Sequence, residues 1–267
     1  MKSSRADSVR SLVTLIAILG TLAVNTLSNL YPPNGLNIGE IANTRFQNLL
    51  VLPANYAFAI WGVIYLGLIG LGVYQVLMSH NGRLRRMEYW LAIACVAQIA
   101  WVLLFQAEQF WASVIAIVGI LLPLIVVYVR LRTIDNRNWF ARMQRVSRLE
   151  RWLVDIPISV YLAWICVATI VNVASALDSS GWNGGGFSPT VWAIVMLIIG
   201  AILAANAVLQ QQDTAFAIVF VWAYVAIAVR HFDQRPVAIV AGILAIGLAG
   251  LALRNTRTGR PQLGSRR

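Results

Sequence analysis

Acidic residues are scarce. The 267-residue chain holds 10 Asp and Glu against 21 Lys and Arg, and only 12% of its residues are charged. A soluble domain carries roughly 25%. Cysteine and histidine are scarcer still, at two each. Cys95 and Cys166 lie inside apolar runs and form no CxxC or other metal-ligand spacing, which excludes a disulfide scaffold or a zinc ribbon and leaves two free thiols as the expectation. His80 and His231 are expected at helix ends facing opposite sides, which excludes a paired-histidine metal or haem site. No acid–base pair, nucleophile constellation or metal set stands out, so no catalytic residue and no metal ligand is assigned.

What is abundant is hydrocarbon. Hydrophobic residues make up 59% of the chain, and the mean hydropathy is +0.72. Eight apolar segments stand out, at about 11–30, 54–78, 89–105, 111–131, 153–177, 190–209, 215–229 and 237–253. A span needs about 20 apolar residues, and a backbone in lipid must satisfy its own polar groups. The expectation is therefore an all-α, polytopic membrane helix bundle with eight spans. The seventh segment is short, and only "QQQD" parts it from the sixth. The first follows Lys2, Arg5 and Arg10 as a signal peptide would, but it has about 20 residues and no small-x-small cleavage site, so a retained helix is expected.

The net charge of +11 invites comparison with nucleic-acid binders. The arginines, however, sit in the connections between apolar runs, without a continuous basic face or motif, and no nucleic-acid partner is expected. Their distribution instead sets topology. With the N-terminus in the cytoplasm, 18 Lys and Arg fall on that side and only Arg45, Arg230 and Arg235 on the other. The positive-inside rule then places both termini in the cytoplasm. The basic connection between Arg132 and Arg151 is expected to touch headgroups and to begin as a surface-lying helix. Asp155 is the one acid near a span interior, with Arg151 expected as its partner.

The side chains that could carry function are polar or aromatic ones inside the spans. Phe58, Trp61 and Tyr65 fall on one face of the second segment; Gln98, Trp101 and Phe105 repeat the pattern in the third, and Tyr161, Trp164, Ala168 and Asn172 in the fifth. Thr21, Asn25 and Asn29 form a polar stripe on the first. Each stripe alone is ordinary helix packing. Together they outline an apolar cavity with a few directed polar groups, which is what a flat hydrophobic ligand requires. The external loop 31–53 is long enough to be a lid.

"SVYLAWICVATIVN" (159–172) resembles the fifth-helix signature of the TspO/translocator-protein family, the tryptophan-rich sensory proteins. Tyr161, Leu162, Ala163, Trp164 and Asn172 match in place, with Val160 where the family has Pro. Gln98, Trp101 and Phe105 follow the third-helix pattern with Gln for Asn. Pro53, Tyr56, Phe58, Trp61 and Tyr65 resemble the second-helix pattern, one residue shorter between Phe58 and Trp61. The resemblance covers residues 11–177, a five-helix core; residues 178–267 form a three-helix extension with a basic tail. It implies a membrane protein that binds a porphyrin or haem, or another flat hydrophobic ligand, with a regulatory or stress-signalling role and often as a homodimer. No cofactor is required, and light-dependent porphyrin breakdown is associated with some members. It further implies that Trp61, Tyr65, Gln98, Trp101, Tyr161, Trp164 and Asn172 line or brace the pocket; Phe58, Phe105, Ala168 and Asn25 complete the candidate ligand-binding set. The partners expected are the ligand and membrane lipid, in the cytoplasmic (inner) membrane. A small-molecule transporter is the alternative, with the last three helices completing a pathway.

Overall fold

The computed structural model describes residues 5–132 and 146–258, which are helical except for short connections. The principal helices are α1 (Arg5–Leu30), α2 (Ile38–Arg45), α3 (Ile60–Leu77), α4 (Trp90–Gln106), α5 (Phe110–Arg132), α6 (Ile156–Ser179), α7 (Pro189–Gln211), α8 (Thr214–Arg230) and α9 (Arg235–Thr258). All eight apolar segments fold as helices. Six stretches are long and apolar enough to cross a membrane: α1, α5, α7, α9, and the longer runs Asn55–Leu77 and Arg148–Ser179 that contain α3 and α6. The remaining two, α4 and α8, have 17 residues each, a length of about 25 Å at 1.5 Å per residue. Lys2, Arg137, Arg142 and Arg145, and with them the expected surface-lying helix, fall outside the described residues, as does the tail after residue 258.

α6 is the centre of the bundle. α3 and α5 pack on it, α4 pairs with α5, and α1 lies across α3 and α4. Small residues and interhelical hydrogen bonds hold this core, as expected where lipid supplies no hydrophobic drive between helices. A Cβ on Gly72 of α3 would come within 2.9 Å of the Leu15 side chain of α1. Thr21 Oγ1 donates to the Cys95 carbonyl at 2.9 Å, and Gln106 Nε2 donates to the Ser28 carbonyl at 2.8 Å. α1 begins six residues before its apolar run because buried Asp7 pairs with Arg10 and Arg85, each at 3.1 Å.

α7, α8 and α9 pack on one another, and α8 joins them to α6. The short "QQQD" connection does separate two helices. Gln212 turns the chain in left-handed backbone conformation, and the Asp213 carboxylate caps α8 by accepting from the Phe216 N–H at 3.1 Å. Its second oxygen accepts from Arg132 at 2.6 Å and from the Tyr128 hydroxyl at 2.9 Å. One acid thus ties α5 to the α7–α8 turn. Arg130 pairs with Glu88 at 2.8 Å and lies over the Trp90 ring.

Asp155 does not pair with Arg151. Its partner is Arg83, which also bonds Glu150 at 3.0 Å. Burial of this guanidinium works to lower its pKa, but Asp155 and Glu150 outweigh it and raise the value. The nearer arginine in sequence loses because Arg83 reaches two carboxylates at once.

Candidate functional site

The site is built where α3, α4 and α6 meet. A 3-10 turn, Asn55–Ala59, leads into α3. Phe58 therefore belongs to the turn and Trp61 to the first turn of the helix, yet both reach the same place. Trp61 is the hub: its ring lies 5.8 Å from Tyr65, 6.3 Å from Trp101, 6.4 Å from Tyr161 and 6.4 Å from Trp164. Phe58 stands edge-on to Trp164 at 6.2 Å, and Phe105 lies 5.5 Å from Trp101.

Polar atoms in hydrocarbon need partners, and two networks supply them. Gln98 Nε2 donates to the Tyr65 hydroxyl at 2.7 Å, and the Tyr161 hydroxyl donates to Gln98 Oε1. Trp101 Nε1 donates to Asn172 Oδ1 at 2.6 Å, and Asn172 Nδ2 donates to Ser113 Oγ at 2.8 Å. α3, α4, α5 and α6 are thereby laced together. The Trp164 N–H belongs to neither network. Trp164 is 2% exposed, and its Nε1 has no hydrogen-bond partner.

A cavity of about 40 Å³ lies beside these rings. Phe58, Trp61, Trp101, Phe105, Trp164, Ala168 and Asn172 line it. Tyr65, Gln98 and Tyr161 do not; they form the braced layer behind Trp61. Asn25 is elsewhere, on α1, where Asn29 Nδ2 donates to its carbonyl at 2.8 Å. Ser113 was not singled out in sequence, and its role could be found only from the partner that Asn172 must have.

The cavity is closed by the 31–53 loop. Ile38, Ala42, Leu52 and Pro53 line it from that side. The loop contains α2, an element that the sequence reading leaves as a lid loop. Its signal was present: Asn37 and Glu40 form a reciprocal capping box, at 3.0 and 2.7 Å, the spacing that marks a helix start. Phe46 packs on Phe110 at 4.9 Å, and Phe110 on Phe105 at 5.4 Å. Tyr31, the loop's other aromatic candidate for ligand contact, is exposed.

α8 clasps this loop. The Ala54 N–H donates to the Ala226 carbonyl at 3.1 Å, and Trp222 Nε1 donates to the Ala57 carbonyl at 3.1 Å. Arg230 bonds Asn43, and His231 Nε2 lies 3.1 Å from the Leu52 carbonyl. Burial lowers the His231 pKa; the Leu52 carbonyl works the other way, and Arg230 adds to the lowering.

The family model for TSPO-like protein matches residues 11–254. The chain belongs to the TSPO-like family. The match runs from α1 into α9 and so includes the C-terminal helices that the motif resemblance, ending at residue 177, leaves aside. No curated protein and no solved structure matches the chain. Within this TSPO-like fold the described residues hold no group of three or more His, Cys, Asp or Glu able to bind a metal. Cys95 and Cys166 are free, the first buried and the second half-buried.

Proposed function

We propose that the chain is a multi-pass sensory protein that takes a flat, mostly apolar ligand of tetrapyrrole type between Trp61, Trp101 and Trp164. The observation that carries this is the Trp164 N–H. It is a buried donor without a partner, set in a wall of rings, and a ligand carboxylate or carbonyl would satisfy it. Leaving such a group unpaired costs about 1–3 kcal/mol, which a ligand acceptor would recover.

The chemistry of the lining favours a free-base porphyrin over haem. No His, Cys or Met is among the residues around the cavity, so an iron would find no such axial ligand there. The size requires movement: about 40 Å³ holds a water or so, against roughly 300–1,000 Å³ for a small-molecule site. Binding is therefore coupled to withdrawal of the α2 loop. In the membrane, α4 and α8 complete eight spans, with the arginine-rich face and both termini in the cytoplasm and the α2 loop outside.

Protoporphyrin titration, followed by tryptophan quenching and the Soret band, tests the assignment. Saturable binding is expected in the wild type. Trp164→Phe keeps an aromatic ring but loses the five-membered ring with its N–H, and should weaken binding about tenfold, the worth of roughly 1.4 kcal/mol; Trp164→Ala should weaken it further. Absence of saturable binding in the wild type would overturn the proposal.

A further inference from the structure

α3 and α8 both pack on α6, and the segment that leads into α3 meets α8 through the Trp222–Ala57 and Ala54–Ala226 bonds. Between them, and reaching Arg83, Arg132 and Arg151, lies a groove of about 1020 Å³, far larger than the aromatic cavity. Its walls are apolar: Ile60 and Val63 from α3, Val160 from α6, Ile218 and Trp222 from α8. Val63 and Ile218 are exposed along it, so the groove is open sideways.

Its base is charged. Arg83 is held by Glu150 and Asp155, and Arg132 by Asp213. Arg151 also lines the groove, is exposed, and has no acidic partner among the described residues. Gln210 and Gln212 stand beside it on the rim. A hydrocarbon-walled slot that opens to the side of a membrane-spanning bundle and ends at an arginine with no acidic partner among the described residues is complementary to one kind of molecule. We infer that this groove holds an anionic phospholipid, its acyl chain between α3 and α8 and its phosphate at Arg151. The occupant is drawn from the leaflet on the arginine-rich side. This site is separate from the aromatic cavity, and its occupancy does not depend on what that cavity binds.

Native mass spectrometry of the detergent-purified full chain, supplied with equal phosphatidylglycerol and phosphatidylcholine, reads the site directly. One retained phospholipid is expected, with phosphatidylglycerol favoured about fivefold, the preference that one arginine confers at an anionic surface. Arg151→Gln should bring the two lipids level. Ile218→Trp should remove both adducts by filling the groove; Ala215→Phe, at the base, is the second filling variant should the first not fold. Equal retention of the two lipids by the wild type would overturn the inference. So would adducts that survive both filling variants, or a homodimer that dissociates on filling while its lipid remains, since the occupant would then be a second copy of the chain.

Discussion

Trp101 and Trp164 share a cavity wall but differ in one respect that decides how each responds to substitution. Trp101 donates to Asn172 at 2.6 Å, whereas the Trp164 donor has no partner. Trp101→Phe strands a buried carbonyl and should cost about 1–3 kcal/mol. Trp164→Phe leaves the same small cavity but strands no acceptor, and should cost less than Trp101→Phe by about that amount. Thermal unfolding in detergent separates the two, and equal losses would show that the indole N–H groups are not what differs. At this scale the spacing of aromatic residues was legible in the sequence, because rings on one face of a helix recur at three and four residues. Which rings touch the cavity was not. Asn25 satisfies the same spacing rule as Asn172, but it lies on α1, which packs across α3 and α4 and contributes no residue to the cavity wall. Periodicity defines a face, not the neighbour that covers it.

The elements themselves were read with little error in type, since an apolar run of 15 to 25 residues has few other ways to satisfy its backbone. Their ends were less legible. α1 starts early because of an ion pair with Arg85, more than seventy residues away, and Asp155 takes Arg83 instead of the arginine one turn before it. The clasp on the α2 loop left no trace in sequence: Ala54 to Ala226 is a bond between two backbones, which any residues could make. One member of the clasp can be tested by titration. The lowered pKa of His231 means that the unfolded chain binds a proton more readily than the folded one. Stability should be full above the ordinary value of 6.5 and fall as pH drops from there toward the folded pKa. Melting temperatures between pH 7.5 and 5.5 should show this decline, and His231→Gln should flatten it. An unchanged slope in the variant would assign the decline to other groups.

Over the whole molecule, the C-terminal helices are no appendage. They carry part of the family match, they form one side of the lateral groove, and together with His231 they supply four contacts to the loop that closes the aromatic cavity and to the turn that follows it. That last arrangement has a kinetic consequence. If the cavity admits a ligand only after the clasp releases, the ligand meets a minor open population, and its apparent affinity is reduced by that fraction. The observed association rate should then stop rising at high porphyrin concentration and level off at the opening rate. Trp222→Phe, which deletes one clasp bond at the edge of the site, should lift that plateau several-fold in stopped-flow quenching while leaving the Trp164 contact intact. A rate that stays linear in concentration in both proteins would mean that the door is not the slow step. On this view the three C-terminal helices act less as a scaffold than as a timer, setting how long the protein waits before it can sample its surroundings.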